Sequence, residues 1–243
     1  MAAPDPEPPW WTPRKTAVPR RALSREAIVA AALAVLRTEG MDAVSMRRVA
    51  SELGTGPASL YAHVANKDEL LELLYDELLA SIPVVEPDAA RWREQSIELW
   101  TASRDALARG GDIARFSLGR VPMGPNALRV AESFMAILRI GGVPDQAVAW
   151  AVDVVGMYVS ASAVEDAITA DLAAAGRDPG AYYGQVHDYF ASLPAERFPT
   201  IAALAKPMMT GDGDERFRFG LELLVEGLAA LVRTSAAPRP TSP

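Results

Sequence analysis

The stretch Ser45 to Lys67, SMRRVASELGTGPASLYAHVANK, decides the fold. The Ser45 hydroxyl can accept from backbone N–H groups that lack intrahelical partners, so a helix is predicted to start after it. Val49, Ala50 and Leu53 then share one face, at helical spacings of three and four. Gly54 stands where that helix must end, and the left-handed residue beyond a helix is least costly as glycine. Pro57 suits the first position of a new helix. Leu60 and Val64, four apart, hold that second helix to a core. A helix, a glycine turn and a short second helix make a helix-turn-helix, whose second helix reads the major groove of DNA. Ala58, Ser59, Tyr61, Ala62 and His63 are left for its outer surface and edge.

Working outward, Ile28, Ala31, Ala32, Val35 and Leu36 form an apolar stripe on a helix expected from about Ser24 to Glu39, closed by Gly40. On the other side, Asn66 and Glu69 form a capping-box start for a helix running to about Ser81. The segment IPVVEPD, Ile82 to Asp88, breaks the pattern with two prolines and is read as a domain boundary. Beyond it no stretch reads as a strand. Helices are expected near 88–109, 112–119, 124–140, 144–168, 180–192, 197–205 and 213–232, with glycine or proline in nearly every gap. The chain is therefore expected to be all-α. A three-helix helix-turn-helix domain (23–81) precedes a larger helical domain (88–232), between a disordered proline-rich basic arm (1–22) and a disordered tail (233–243).

Charge is divided unevenly. The 243 residues carry a net −7, but residues 1–67 hold nine Lys/Arg against six acids, +3, and the remainder stands at −10. A basic module on an acidic body fits phosphate binding by that module. Arg14, Lys15, Arg20 and Arg21 of the arm could add phosphate or minor-groove contacts. There is no cysteine, which excludes disulfides, thiol nucleophiles and cysteine metal sites, and suits the cytoplasm. The run Ala147 to Val164 has one charge, Asp153, in 18 residues, yet it is rich in Ala, Ser and Gly and lacks a Lys/Arg flank. It reads as a soluble helix buried on most of its surface. Both this helix and the last one are apolar on two faces. Two faces need two partners, so helices 144–168 and 213–232 are expected to join two copies of the chain in a homodimer.

Over Leu23 to Leu79 the chain resembles the tetracycline-repressor (TetR) family of transcriptional regulators, most specifically in Leu60-Tyr61-x-His63-Val64-x-Asn66-Lys67. The resemblance implies a ligand-responsive repressor that a small-molecule effector releases from palindromic double-stranded DNA. It places Arg47 on a base, where an arginine fork matches a guanine edge. Ser45, Met46 and Arg48 fall beside the phosphates, Pro57 and Ala58 open the recognition helix, and Ser59, Tyr61, His63 and Lys67 match phosphate or base-edge contacts. Pro57 and Ala58 carry no hydrogen-bonding side chain, which limits readout there to thymine methyl groups.

The resemblance also implies an effector cavity in the body, largely apolar as such cavities are. The candidate lining consists of Trp92, Trp100, Phe116, Met123, Phe134, Met135, Leu138, Trp150, Met157 and Tyr158, with Arg120, Asn126 and Asp153 as polar contacts. The family's founding branch holds a magnesium-chelated drug through histidine. The only histidine here outside the DNA module is His187, so no metal, no cofactor and no tetracycline are expected. The alternative is a helical ligand-binding protein or enzyme in which the helix-turn-helix is only structural. Two histidines far apart, with no G-x-S-x-G and no phosphate loop, leave catalysis little to work with.

Overall fold

In a computed structural model the described residues are 23–111, 113–118 and 121–236. Among them there is no strand, and eleven α-helices follow one another. The first four are α1 (Arg25–Glu39), α2 (Met46–Glu52), α3 (Pro57–Leu60) and α4 (Lys67–Leu79). The body follows as α5 (Trp92–Ala108), α6 (Ile113–Ser117), α7 (Pro125–Ile140), α8 (Asp145–Ala174), α9 (Pro179–Ala191), α10 (Pro199–Met208) and α11 (Gly213–Ala236).

Helix starts follow the side chains available to cap them. Ser24 accepts from the Ala27 N–H, Ser45 from Arg48 and Asn66 from Glu69. The Glu69 carboxylate in turn accepts from the Ala65 N–H, which completes a reciprocal cap. Two helices run further than the apolar pattern predicts. α8 passes 168 and ends only at Ala174, because Ile-Thr-Ala-Asp-Leu-Ala-Ala still favours helix and the stop is Gly176, at φ +72°. α11 continues to Ala236, four residues into the expected tail. The 1–22 arm, with Trp10 and Trp11, and residues 237–243 lie outside the described residues.

The core is continuous from head to body. Ile28, Val35, Val49, Leu60 and Val64 close the head, Leu70 and Leu74 carry the core along α4, and Leu107, Ile137, Leu138 and Leu221 fill the body. α4 packs on α1 at the head and on α5, α6 and α7 in the body, so it is the element that joins the two.

α8 is long and apolar enough to cross a membrane, yet only a third of its most apolar stretch is buried. One face, Val148, Ala151, Val155, Val159 and Ala163, is core. The opposite face exposes Trp150 (67%), Val154, Met157 and Ile168, while α11 exposes Phe219, Leu223 (60%) and Leu231. The sequence pattern put Trp150, Asp153 and Met157 in a cavity. The structure places all three on this outer face instead.

Candidate nucleic-acid interface and ligand cavities

The reading surface is built on a four-residue helix, too short to be stable alone. Its position is therefore imposed from outside. After α2, the Thr55 N–H returns to the Ala50 carbonyl at 2.9 Å and the Gly54 N–H to Ser51 at 3.1 Å, with Gly54 at φ +62°. This is the hydrogen-bond pattern of a left-handed helix stop. The Thr55 hydroxyl donates to Ser59 Oγ across the turn. Leu60 is fully buried and Val64 nearly so, which leaves Pro57, Ala58, Ser59, Tyr61 and Ala62 exposed.

The far end of the turn is fastened by Arg25. Its guanidinium donates to the His63 carbonyl (3.2 and 3.3 Å) and pairs with Glu69. The sequence reading counted Arg25 only as a charge, since nothing local shows that it spans 38 residues to His63.

Of the residues matched to DNA contacts, Arg47 is exposed and makes no hydrogen bond or ion pair among the described residues; Lys67, at the start of α4, is likewise exposed. Tyr61 is 54% exposed on the same side of the head as Ser59. Two assignments are corrected. Met46 is buried in the head core, because the first residue after the Ser45 cap turns inward onto α1. Arg48 is held within the protein: it donates to Glu39 at 2.9 and 3.1 Å and to Glu52 at 2.9 Å. The hydrogen bonds from Glu39 and then Glu52 raise its pKa, while the Arg48 hydrogen bond lowers that of Glu39. Arg48 thus ties α2 to α1, and its charge is already met.

The body's large side chains sort differently from the prediction. Trp100 and Phe134 fill each other's space, with ring centroids 4.5 Å apart, and Leu138 is wholly buried. Trp92 lies under the Gly141 backbone, where a Cβ would strike its ring. These four are packed core rather than lining. Met135 is partly buried against the same core.

Phe116 and Met123 do come together, in a cavity of about 260 Å³ with Leu73, Tyr75, Asp76, Val121 and Pro122, directly beside α4. Arg120 lies outside the described residues. Asn126 is spoken for: its amide donates to Asp76 at 3.0 Å.

A larger cleft, about 840 Å³, opens between α8, α9, α10 and α11, with Tyr158, Tyr183, His187 and Phe217 on its walls. Arg104, 5% exposed, sits at its edge. It donates to Asp166 at 2.7 and 2.8 Å and to Asp214 at 2.7 Å, and stacks on Phe217. Burial opposes its charge, but the two aspartates outweigh that and raise its pKa. Its partners lie 62 and 110 residues away, so no sequence pattern linked them. His187 stands next to Asp188 at 3.0 Å, and among the described residues no three acidic or histidine side chains form a metal cluster.

With this geometry in hand, comparison with known proteins is direct. Residues 28–74 match the family model for bacterial regulatory proteins of the tetR family, and residues 85–232 match the tetracyclin repressor-like C-terminal domain. The chain belongs to the TetR family of transcriptional regulators, ligand-responsive DNA-binding proteins that act as dimers. Among solved structures it is similar to apo ActR from Streptomyces coelicolor, with 42% identity and a TM-score of 0.80 over 88% of this chain and 98% of that one. It is also similar to ActR in complex with actinorhodin, at 42% identity and a TM-score of 0.79, over 86% and 96%. Among relatives, the HTH-type transcriptional repressor DrrR1 of Streptomyces coeruleorubidus is 31% identical over 90% of this chain and 83% of its own length.

Proposed function

We propose that this chain is a repressor that binds a palindromic operator as a homodimer, acts in the cytoplasm, and is released from DNA by a small, largely apolar effector. It has no catalytic role in this reading. The observation that carries the proposal is the exposed surface of the head. Arg47 and Tyr61 stand free beside a recognition helix whose only buried member is Leu60. Arg47 reads a guanine edge, Tyr61 and Ser59 set the head on the backbone and base edges, and Lys67 anchors a phosphate. Pro57 and Ala58 supply apolar contact to thymine methyl groups, and His63 adds an edge contact. Ser45 supports this face by capping α2.

Two heads are needed to read a palindrome. The outward faces of α8 (Trp150, Val154, Met157) and α11 (Phe219, Leu223, Leu231) supply the joint, because together they leave a large apolar surface uncovered on one chain. The effector occupies the Phe116–Met123 cavity, which touches α4, the helix that carries the head. ActR, solved with actinorhodin and with (S)-DNPA, supports a small-molecule effector here.

A gel shift on DNA upstream of the gene tests the site. Arg47→Ala and Tyr61→Ala should each weaken binding by about 10-fold or more, since a good base contact is worth about 1–3 kcal/mol. Wild-type affinity in both variants would remove the assignment.

A further inference from the structure

We infer that Asp76 and Arg129 form a two-point latch between α4 and α7, through which the cavity beside α4 sets the position of the DNA-reading head. The inference rests on the reading of the chain as a ligand-responsive DNA-binding regulator.

Asp76, on the body end of α4, is 7% exposed. One of its oxygens accepts the Ala127 N–H at 2.9 Å, and the other accepts the Asn126 side-chain amide at 3.0 Å and the Asn126 N–H at 3.3 Å. A carboxylate on α4 thus caps the first turn of α7, where backbone donors lack helical partners and the helix dipole favours negative charge. Arg129 caps in the reverse direction. Its two terminal nitrogens donate to the carbonyls of Ile82 at 2.9 Å, Leu79 at 3.0 Å and Ala80 at 3.3 Å. Those carbonyls lie at the C-terminal end of α4, where acceptors are left over. Each helix end is therefore satisfied by a side chain of the other helix.

The remaining α4 contacts, through Leu70, Leu74 and Leu78, are apolar and can slide by small steps. The caps fix one register. Gly124 shows how close the fit is: a Cβ there would collide with the Asp76 carboxylate. Asp76 and Gly124 also belong to the wall of the Phe116–Met123 cavity, so a molecule that fills the cavity presses on the cap itself. Pushing α7 away would leave a nearly buried carboxylate unpaired, which is unfavourable. α4 moves with it instead, and the head moves with α4. This is the two-state coupling element that linkage between the two sites requires.

The test uses the full chain and needs no known effector. The sequence has no cysteine, so nitroxides can be placed cleanly at Ser51→Cys on α2 and Asp105→Cys on α5, both exposed. Labelled chains are diluted with unlabelled ones, and the head-to-body distance is measured by pulsed electron resonance. Asp76→Asn and Arg129→Gln are compared with Leu99→Ala, which weakens the body core without touching either cap. The latch predicts one narrow distance in the parent protein. In both latch variants the distance broadens or shifts by several ångströms, and affinity for a selected operator changes by about fivefold or more; neither change occurs in Leu99→Ala. Distances that superimpose on the parent in both latch variants, with only the melting temperature lowered, would reduce these bonds to structural ones and overturn the inference. A parent protein that binds no operator would instead sink the DNA-binding reading, while the distance measurement still decides the latch.

Discussion

Leu60→Ala separates the reading head from the body by stability alone. Leu60 is the only buried residue of α3, at zero exposure, and with Val64 it accounts for the packing of that segment on α1 and α2. Truncation removes three carbons from a site whose neighbours, Ile28, Val49 and Ala50, are themselves fully buried and cannot close over the gap. Such changes cost about 3–5 kcal/mol. The head spans roughly 60 residues, and at about 0.05–0.15 kcal/mol per residue its own stability is roughly 3–9 kcal/mol. The variant should therefore populate an open head near room temperature while the body stays folded. Calorimetry should show the low-temperature part of the unfolding transition move down, and operator binding should fall by about 100-fold or more in the same sample. Leu60→Met, which conserves volume, should restore most of both. DNA binding within threefold of the parent in Leu60→Ala, with unchanged amide exchange in α3, would refute the claim that α3 is held by its one buried side chain.

Other perturbations probe the remaining elements. Leu223→Glu combined with Trp150→Glu places charge on the two most exposed apolar positions of the proposed joint, and sedimentation should show a shift from dimer to monomer. Asp166→Asn leaves the nearly buried Arg104 with only Asp214, which is itself largely exposed; a loss of about 2 kcal/mol is expected in urea unfolding, below the full cost of breaking a buried pair because Asp166 is a third exposed. The Glu39 pKa is lowered by its bond to Arg48. A lowered carboxylate pKa stabilises above the ordinary value of 4.5, and that contribution is lost as the pH falls through the folded-state value. An acid titration followed by head-specific amide signals should show the α1–α2 tie loosening there, and Arg48→Met should flatten that pH dependence.

What the sequence made legible was local chemistry. Ser45, Gly54, Pro57, Asn66 and Glu69 each act on backbone within a few residues, so the helix-turn-helix and its flanking helix could be placed without tertiary information. The errors lie where a side chain's meaning depends on a distant partner. Arg48 looks like a DNA contact until Glu39, nine residues back across the α1–α2 turn, is seen to hold it. Met46 follows a cap on the helix that borders DNA, but the cap sets its direction, and that direction is inward. In the body, size alone chose the ligand candidates. Trp100 and Phe134 proved to fill each other's space, while Trp150 and Met157 sit on the outer side of a helix that is apolar all round. A helix with two apolar faces does not say which faces the core. The Asp76–Arg129 pairing and the Arg104 triad join residues about 50 to 110 apart, beyond any periodicity.

The central claim is that the exposed face around Arg47 and Tyr61 reads a two-fold symmetric site. Selection from random-sequence duplexes, carried out in parallel with the parent protein and Arg47→Ala, tests it most directly. The parent should enrich an inverted repeat with a guanine at one symmetric position in each half-site. Arg47→Ala should keep the spacing and lose the guanine. No enrichment by the parent, enrichment of a site without two-fold symmetry, or the same guanine selected by both proteins would contradict the account.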